Sequence, residues 1–90
     1  MAATDITDKV TVYYADWCPY CKKLITDLNA NNIPHTLIDA DNGPHAAEDS
    51  EWVKSVNNGN RIVPTVRFSD GTHMTNPPVA DVAAKLEELS

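Results

Sequence analysis

The chain has 90 residues, room for one domain and one modest core. Thirteen acidic against seven basic side chains leave a formal net charge of −6. That balance argues against a nucleic-acid backbone or an anionic membrane surface as partner, because both recruit clustered cations. No apolar run approaches the roughly 20 residues of a membrane span, and residues 1–9 are too polar for a signal or transit peptide.

Residues 9–14 alternate and are rich in β-branched and aromatic side chains, so they predict a strand. Residues 15–18 form the turn leaving it. Pro19 then suits the first turn of a helix, where its missing N–H costs nothing. That helix runs to about Asn31, with Leu24, Ile25 and Leu28 on its apolar face. Residues 35–39 predict a second strand. The break at residues 41–44 can cap a second helix over residues 45–56, which buries Trp52, Val53 and Val56. Residues 65–69 predict a third strand. Asp70-Gly71 is a hairpin signal, and residues 72–75 return as a short fourth strand. Asn76 reads as the N-cap of a last helix, with Pro77 at its first position and Val79, Val82, Ala83 and Leu86 at helical spacing. Residues 1–8 read as a flexible N-terminal segment of this single domain. The order β-α-β-α-β-β-α predicts an α/β fold with a mixed four-stranded sheet flanked by three helices.

There are two cysteines, Cys18 and Cys21. A disulfide between them closes a four-residue loop worth only about 2 kcal/mol, so the pair is badly placed as a structural staple. Redox chemistry or metal is the better reading of C-x-x-C. A structural zinc site needs four ligands, and His35, His45 and His73 are scattered without ligand spacing. No metal is therefore expected.

Thiol–disulfide exchange needs one accessible thiolate and a second thiol within reach. At a helix start, cysteines three apart lie on one side of the first turn, where free N–H groups and the helix dipole favour a negative sulfur. Cys18 is the expected nucleophile. Cys21, one turn in, is the expected buried resolving thiol. Lys22 and Lys23 read best as solvated surface lysines, and Asp16 opposes their charge. Trp17 reads equally as an apolar platform beside the site or as a core side chain. Tyr20 is expected to be exposed, free to pack on a bound substrate. In residues 61–66, Pro64 keeps Val63 out of sheet pairing, leaving its backbone to meet a peptide-like substrate, or simply marks a strand entry.

Taken together, Cys-Pro-Tyr-Cys and, about forty residues later, Val63-Pro64-Thr65 resemble the glutaredoxins of the thioredoxin fold. The resemblance covers nearly the whole chain. W-C-P-Y-C, S-V-N-x-G-N-R-x-V-P-T-V over residues 55–66 and D-G-T-x-x-T-N-P over residues 70–77 resemble the mycoredoxin branch, which uses mycothiol in place of glutathione.

The resemblance implies a cytoplasmic, monomeric oxidoreductase with no bound cofactor. Cys18 would attack a protein–mycothiol mixed disulfide, and a second mycothiol would release it, leaving Cys21 dispensable. Partners implied are mycothiolated or oxidised proteins and, through the mycothiol pool, mycothiol disulfide reductase. A dithiol protein disulfide reductase using both cysteines is the alternative.

The resemblance also implies a cis bond at Val63–Pro64. Ala15 and Asp16 stand where glutaredoxins carry a cation, and Ser69-Asp70-Gly71 replaces their Gly-Gly turn. Both changes favour the neutral sugar–polyol of mycothiol over the carboxylates of glutathione. Asp70, Gly71, Thr72, Thr75 and Asn76 are the implied polyol partners, beside Trp17, Tyr20, Val63 and Pro64, although Asn76 reads better as a cap. Arg61 reads as a ligand contact or a surface charge.

Overall fold

The computed structural model describes residues 8–89. The elements run β1 (Val10–Tyr14), α1 (Pro19–Ala30), β2 (Thr36–Asp39), α2 (Ala46–Ser55), β3 (Thr65–Phe68), β4 (His73–Thr75) and α3 (Val79–Glu88). The sheet order is β2-β1-β3-β4. β1 and β2 are parallel, as a crossover through α1 requires, and β3 is antiparallel to both β1 and β4. The expected thioredoxin-type order and mixed sheet are both present. Among the described residues, no helix is long and apolar enough to cross a membrane.

Side-chain alternation along β1 divides the core in two. Val10 and Val12 pair with Phe68 and Val66, and all four pack beneath Leu24 and Leu28 of α1 and Val82 of α3. Tyr13, on the other face, packs with Ile38 and with Val53 of α2. Trp52 stacks on the Tyr13 ring at 4.8 Å between centroids, with the Arg67 guanidinium 4.5 Å above it.

Several boundaries move. Lys9 precedes β1, and α2 is one residue shorter at each end than expected. The break at residues 41–44 does not cap α2; its N-cap is His45, with no side-chain bond. Instead the Asp39 carboxylate accepts from the N–H groups of Asp41 and Asn42, both at 2.9 Å. Val56 is the C-cap of α2 and only half-buried. Ala83 is exposed; Val79, Val82, Leu86 and Leu89 form the apolar face of α3.

Asn76 is not a helix cap. It sits at φ 45°, and its N–H donates to the Pro64 carbonyl at 2.8 Å. Pro77 cannot begin the helix because it precedes another proline and is pushed out of the α region. α3 therefore starts after Pro78, its N-cap. Of the expected N-terminal segment, residues 1–7 lie outside the described residues, and Asp8 accepts a hydrogen bond from the Thr36 hydroxyl.

Asn57 ties α2 to the hairpin strands. Its buried amide donates to the Val53 carbonyl at 2.8 Å and to Thr65 Oγ1 at 3.2 Å, and its oxygen accepts from Thr75 Oγ1 at 2.5 Å. Asn57→Ala strands these partners and should cost about 1–3 kcal/mol in urea unfolding. An unchanged unfolding midpoint would show that the three bonds contribute nothing net.

Candidate active site

The site is built where β1 ends and α1 begins. Ala15 turns the chain by accepting from the Cys18 N–H at 3.1 Å. Cys18 is the N-cap of α1, at φ −85° and ψ 113°, and Pro19 occupies the first turn. The Cys18 sulfur does what a serine oxygen does at other helix starts: it accepts from the Cys21 N–H, at 3.2 Å. Both thiols are free.

Cys18 is less open than its chemistry suggested, at 2% exposed, and Cys21 is fully buried. Tyr14 and Val63 pack against the cysteines and Ala15. The Val63–Pro64 bond is cis, and the Val63 carbonyl accepts from the Cys18 thiol at 3.6 Å. The loop before β3 is secured on its inner side, where Thr65 Oγ1 donates to the Ile62 carbonyl at 2.7 Å.

Two aromatic side chains flank the sulfur. Trp17 is 65% exposed and Tyr20 64%. Trp17 is thus a surface platform and not a core residue. Tyr20 lines a groove of about 260 Å³ whose other wall is Asn76, Pro77, Pro78 and Val79. Lys22 and Lys23 are exposed, and Lys23 pairs with Asp27 one turn along at 2.7 Å, as expected for solvated helix lysines.

The proposed polyol partners are not brought together. Thr65 lies opposite Tyr13, near the cysteine end of β1, whereas Phe68 lies opposite Val10 at the far end. The turn holding Asp70, Gly71 and Thr72 therefore sits at the opposite end of the sheet, about 10 Å of strand away. Asp70 is occupied there. Its carboxylate takes the Lys85 ammonium at 2.7 Å and the Thr72 hydroxyl at 2.6 Å. These contacts, Lys85 first, hold Asp70 well below the usual carboxylate range. Thr75 is at the correct end, opposite Thr65, but its hydroxyl is given to Asn57. Asn76, read from sequence as a candidate polyol partner but better as a cap, lines the groove with Tyr20.

Arg61 is half-buried and bonded within the chain. Its guanidinium pairs with Asp41 and its Nε donates to Ser50 Oγ at 3.0 Å. The other Asp41 oxygen accepts the Trp17 indole N–H at 2.7 Å. Asp41 had been legible only as part of a chain break, because nothing local links it to residues 20 or more positions away. Among the described residues, no three His, Cys, Asp or Glu side chains converge as a metal site.

Burial pushes the Cys21 thiol up to about 12, and its hydrogen bond with Cys18 adds to the shift. A folded-state value above the unfolded one means that Cys21 stays protonated until the solution is strongly alkaline. Iodoacetamide at pH 8 should therefore label reduced protein once, on Cys18, and label both cysteines in urea. Mass spectrometry showing equal labelling of Cys21 in the folded protein would contradict this.

Similarity to known proteins agrees with the geometry. The glutaredoxin family model matches residues 10–74. Mycoredoxin 1 of Corynebacterium glutamicum is 57% identical over 81 residues, covering 90% of this chain and 96% of that protein. The glutaredoxin of Archaeoglobus fulgidus superposes with a TM-score of 0.72 at 23% identity, over 89% of this chain and 87% of that one, and bears on the fold alone. Oxidized glutaredoxin 2 of Chlamydomonas reinhardtii has a TM-score of 0.64 at 28% identity, over 91% of this chain and 78% of that one. With Cys18 capping its helix, Cys21 beneath it and the Val63 carbonyl, just before the cis-proline, against the sulfur, the chain belongs to the glutaredoxin family and is a glutaredoxin-like thiol–disulfide oxidoreductase.

Proposed function

We propose that this oxidoreductase reduces protein–mycothiol mixed disulfides in the cytoplasm by a monothiol mechanism, with mycothiol as reductant and no bound cofactor. The Cys18 thiolate attacks the mycothiol sulfur of the mixed disulfide. A Cys18–mycothiol bond forms, and the protein leaves as a thiolate that takes up a proton. A second mycothiol thiolate then attacks the sulfur of the mycothiol held on Cys18. Mycothiol disulfide forms and Cys18 is released as thiolate. The two electrons gained by the protein disulfide come from the two mycothiols, and mycothiol disulfide reductase restores the pool.

The observation that carries the monothiol reading is the state of Cys21. Its side chain is fully buried, and that burial pushes the thiol up, so that Cys21 stays protonated near neutrality. Thiol–disulfide exchange requires the thiolate, so closure onto Cys18 is slow and the mixed disulfide awaits an external thiol. The Cys21 N–H at 3.2 Å and the helix start receive the negative charge on Cys18. Trp17 and Tyr20 supply the exposed faces against which the substrate packs. The 57% identity to Mycoredoxin 1 supports mycothiol as the cosubstrate.

The dithiol alternative has one observation in its favour, the seating of Cys21 directly beneath Cys18. A Cys21→Ser variant separates the two. It should retain turnover of a mycothiol–peptide mixed disulfide within about threefold, while Cys18→Ser loses it entirely. Complete loss in Cys21→Ser would favour the dithiol mechanism. Absence of turnover with mycothiol, alongside brisk turnover with glutathione, would overturn the cosubstrate.

A further inference from the structure

Asp41 divides its carboxylate between two residues of the site. One oxygen takes the Trp17 indole N–H at 2.7 Å, and the other takes the Arg61 guanidinium. Arg61 is held from a second side by Ser50 Oγ at 3.0 Å, and that hydroxyl donates in turn to the Ala40 carbonyl at 2.9 Å. The chain of contacts joins the residue before Cys18, the loop after β2 and the segment leading into Val63–Pro64.

Arg61 is the cation two residues before Val63, whose carbonyl lies against the Cys18 sulfur. It is close enough to the cysteines for its charge to favour ionisation of Cys21, though burial outweighs that. Yet its charge is already matched by Asp41. On the other flank, Ala15 and Asp16 add no cation and Lys23 is paired with Asp27, while Lys22 is exposed on the side of α1 shared with Asp16 and Cys21. A thiol arriving at Cys18 from the side of Trp17 and Val63 therefore meets an indole face and a neutralised ion pair.

We propose that Asp41 is the specificity-determining residue for the thiol cosubstrate. By holding Arg61 in an internal pair and Trp17 in a fixed pose, it makes the site favour thiols with neutral ends over thiols with carboxylates. Asp41 is a positioning residue, since it acts through Arg61 and Trp17. The inference rests on the proposed function in assigning mycothiol as the favoured thiol, but its physical content is the charge available at Arg61.

Asp41→Asn tests it. The amide keeps an acceptor for the Trp17 N–H and removes the charge that holds Arg61. The readout is kcat/KM on one peptide carried as two mixed disulfides, one with 2-mercaptoethanol and one with 3-mercaptopropionate, each reduced by its own thiol. The released guanidinium should raise the anionic-to-neutral ratio by about tenfold, chiefly through KM, as expected for one charged hydrogen bond gained. Asp41→Glu should restore the wild-type ratio, and Asp41→Asn with Arg61→Gln should abolish the gain. A ratio that moves less than about twofold in Asp41→Asn, or a gain that persists without Arg61, would overturn the proposal. A structural defect would lower both rates together and leave the ratio unmoved. Should the wild-type enzyme show no preference for mycothiol over glutathione, the cosubstrate assignment falls, whereas the ratio in Asp41→Asn still reports the charge on Arg61.

Discussion

The first helix of this protein begins on a sulfur atom. Cys18 Sγ accepts the Cys21 N–H that a serine or aspartate would otherwise satisfy. The same bond ties reactivity to folding: the donor that ends the helix neatly also stabilises charge on the sulfur. It also fixes where Cys21 must be, one turn in and out of solvent. Desolvation there keeps the second thiol neutral, while the first is held at the helix start between Tyr14 and Val63. Two identical side chains thus differ in chemistry because one turn of helix separates them.

The remainder of the fold serves that turn. β1 delivers the chain to the cap, and its antiparallel partner β3 brings Thr65 and the cis Val63–Pro64 unit to the same end of the sheet. Asn57 and Thr65 pin the loop from the inside, through bonds to Val53, Thr75 and Ile62. Asp41 and Arg61 pin it from the outside. The carbonyl against Cys18 is therefore braced on both sides by polar contacts that reach across different elements.

Much of this was legible in residue order. The alternation of residues 9–14, the proline after Cys18 and the Asp70-Gly71 turn gave every element within a residue or two, and Cys-Pro-Tyr-Cys located the chemistry. What was not legible depended on register and on distant pairs. Asp70, Gly71 and Thr72 looked like ligand contacts until the β1–β3 register placed their turn at the opposite end of the sheet. Asn76 looked like a cap because asparagine favours that position, but the Pro77-Pro78 step delays the helix and leaves Asn76 in a left-handed turn. Asp41 carries no local signal, since its partners Trp17 and Arg61 stand 24 and 20 residues away. The burial of Cys18 was equally hidden, because Val63, which packs there with Tyr14, stands forty-five positions along the chain.

The Asp70–Lys85 pair acquires a different meaning from this layout. α3 leaves the groove at Pro78 and runs the length of the sheet, so that Lys85 meets the hairpin tip at the far end. β4 spans three residues and cannot anchor much by itself. The helix and the hairpin instead close a loop of structure, joined covalently beside the cysteines and electrostatically at the other extreme. The wall opposite Tyr20 is the near end of a helix seated on the core by Val79, Val82 and Leu86, with one ion pair at its far end. The groove wall and the hairpin tip, at opposite ends of the sheet, thus belong to one continuous stretch of chain held at both ends.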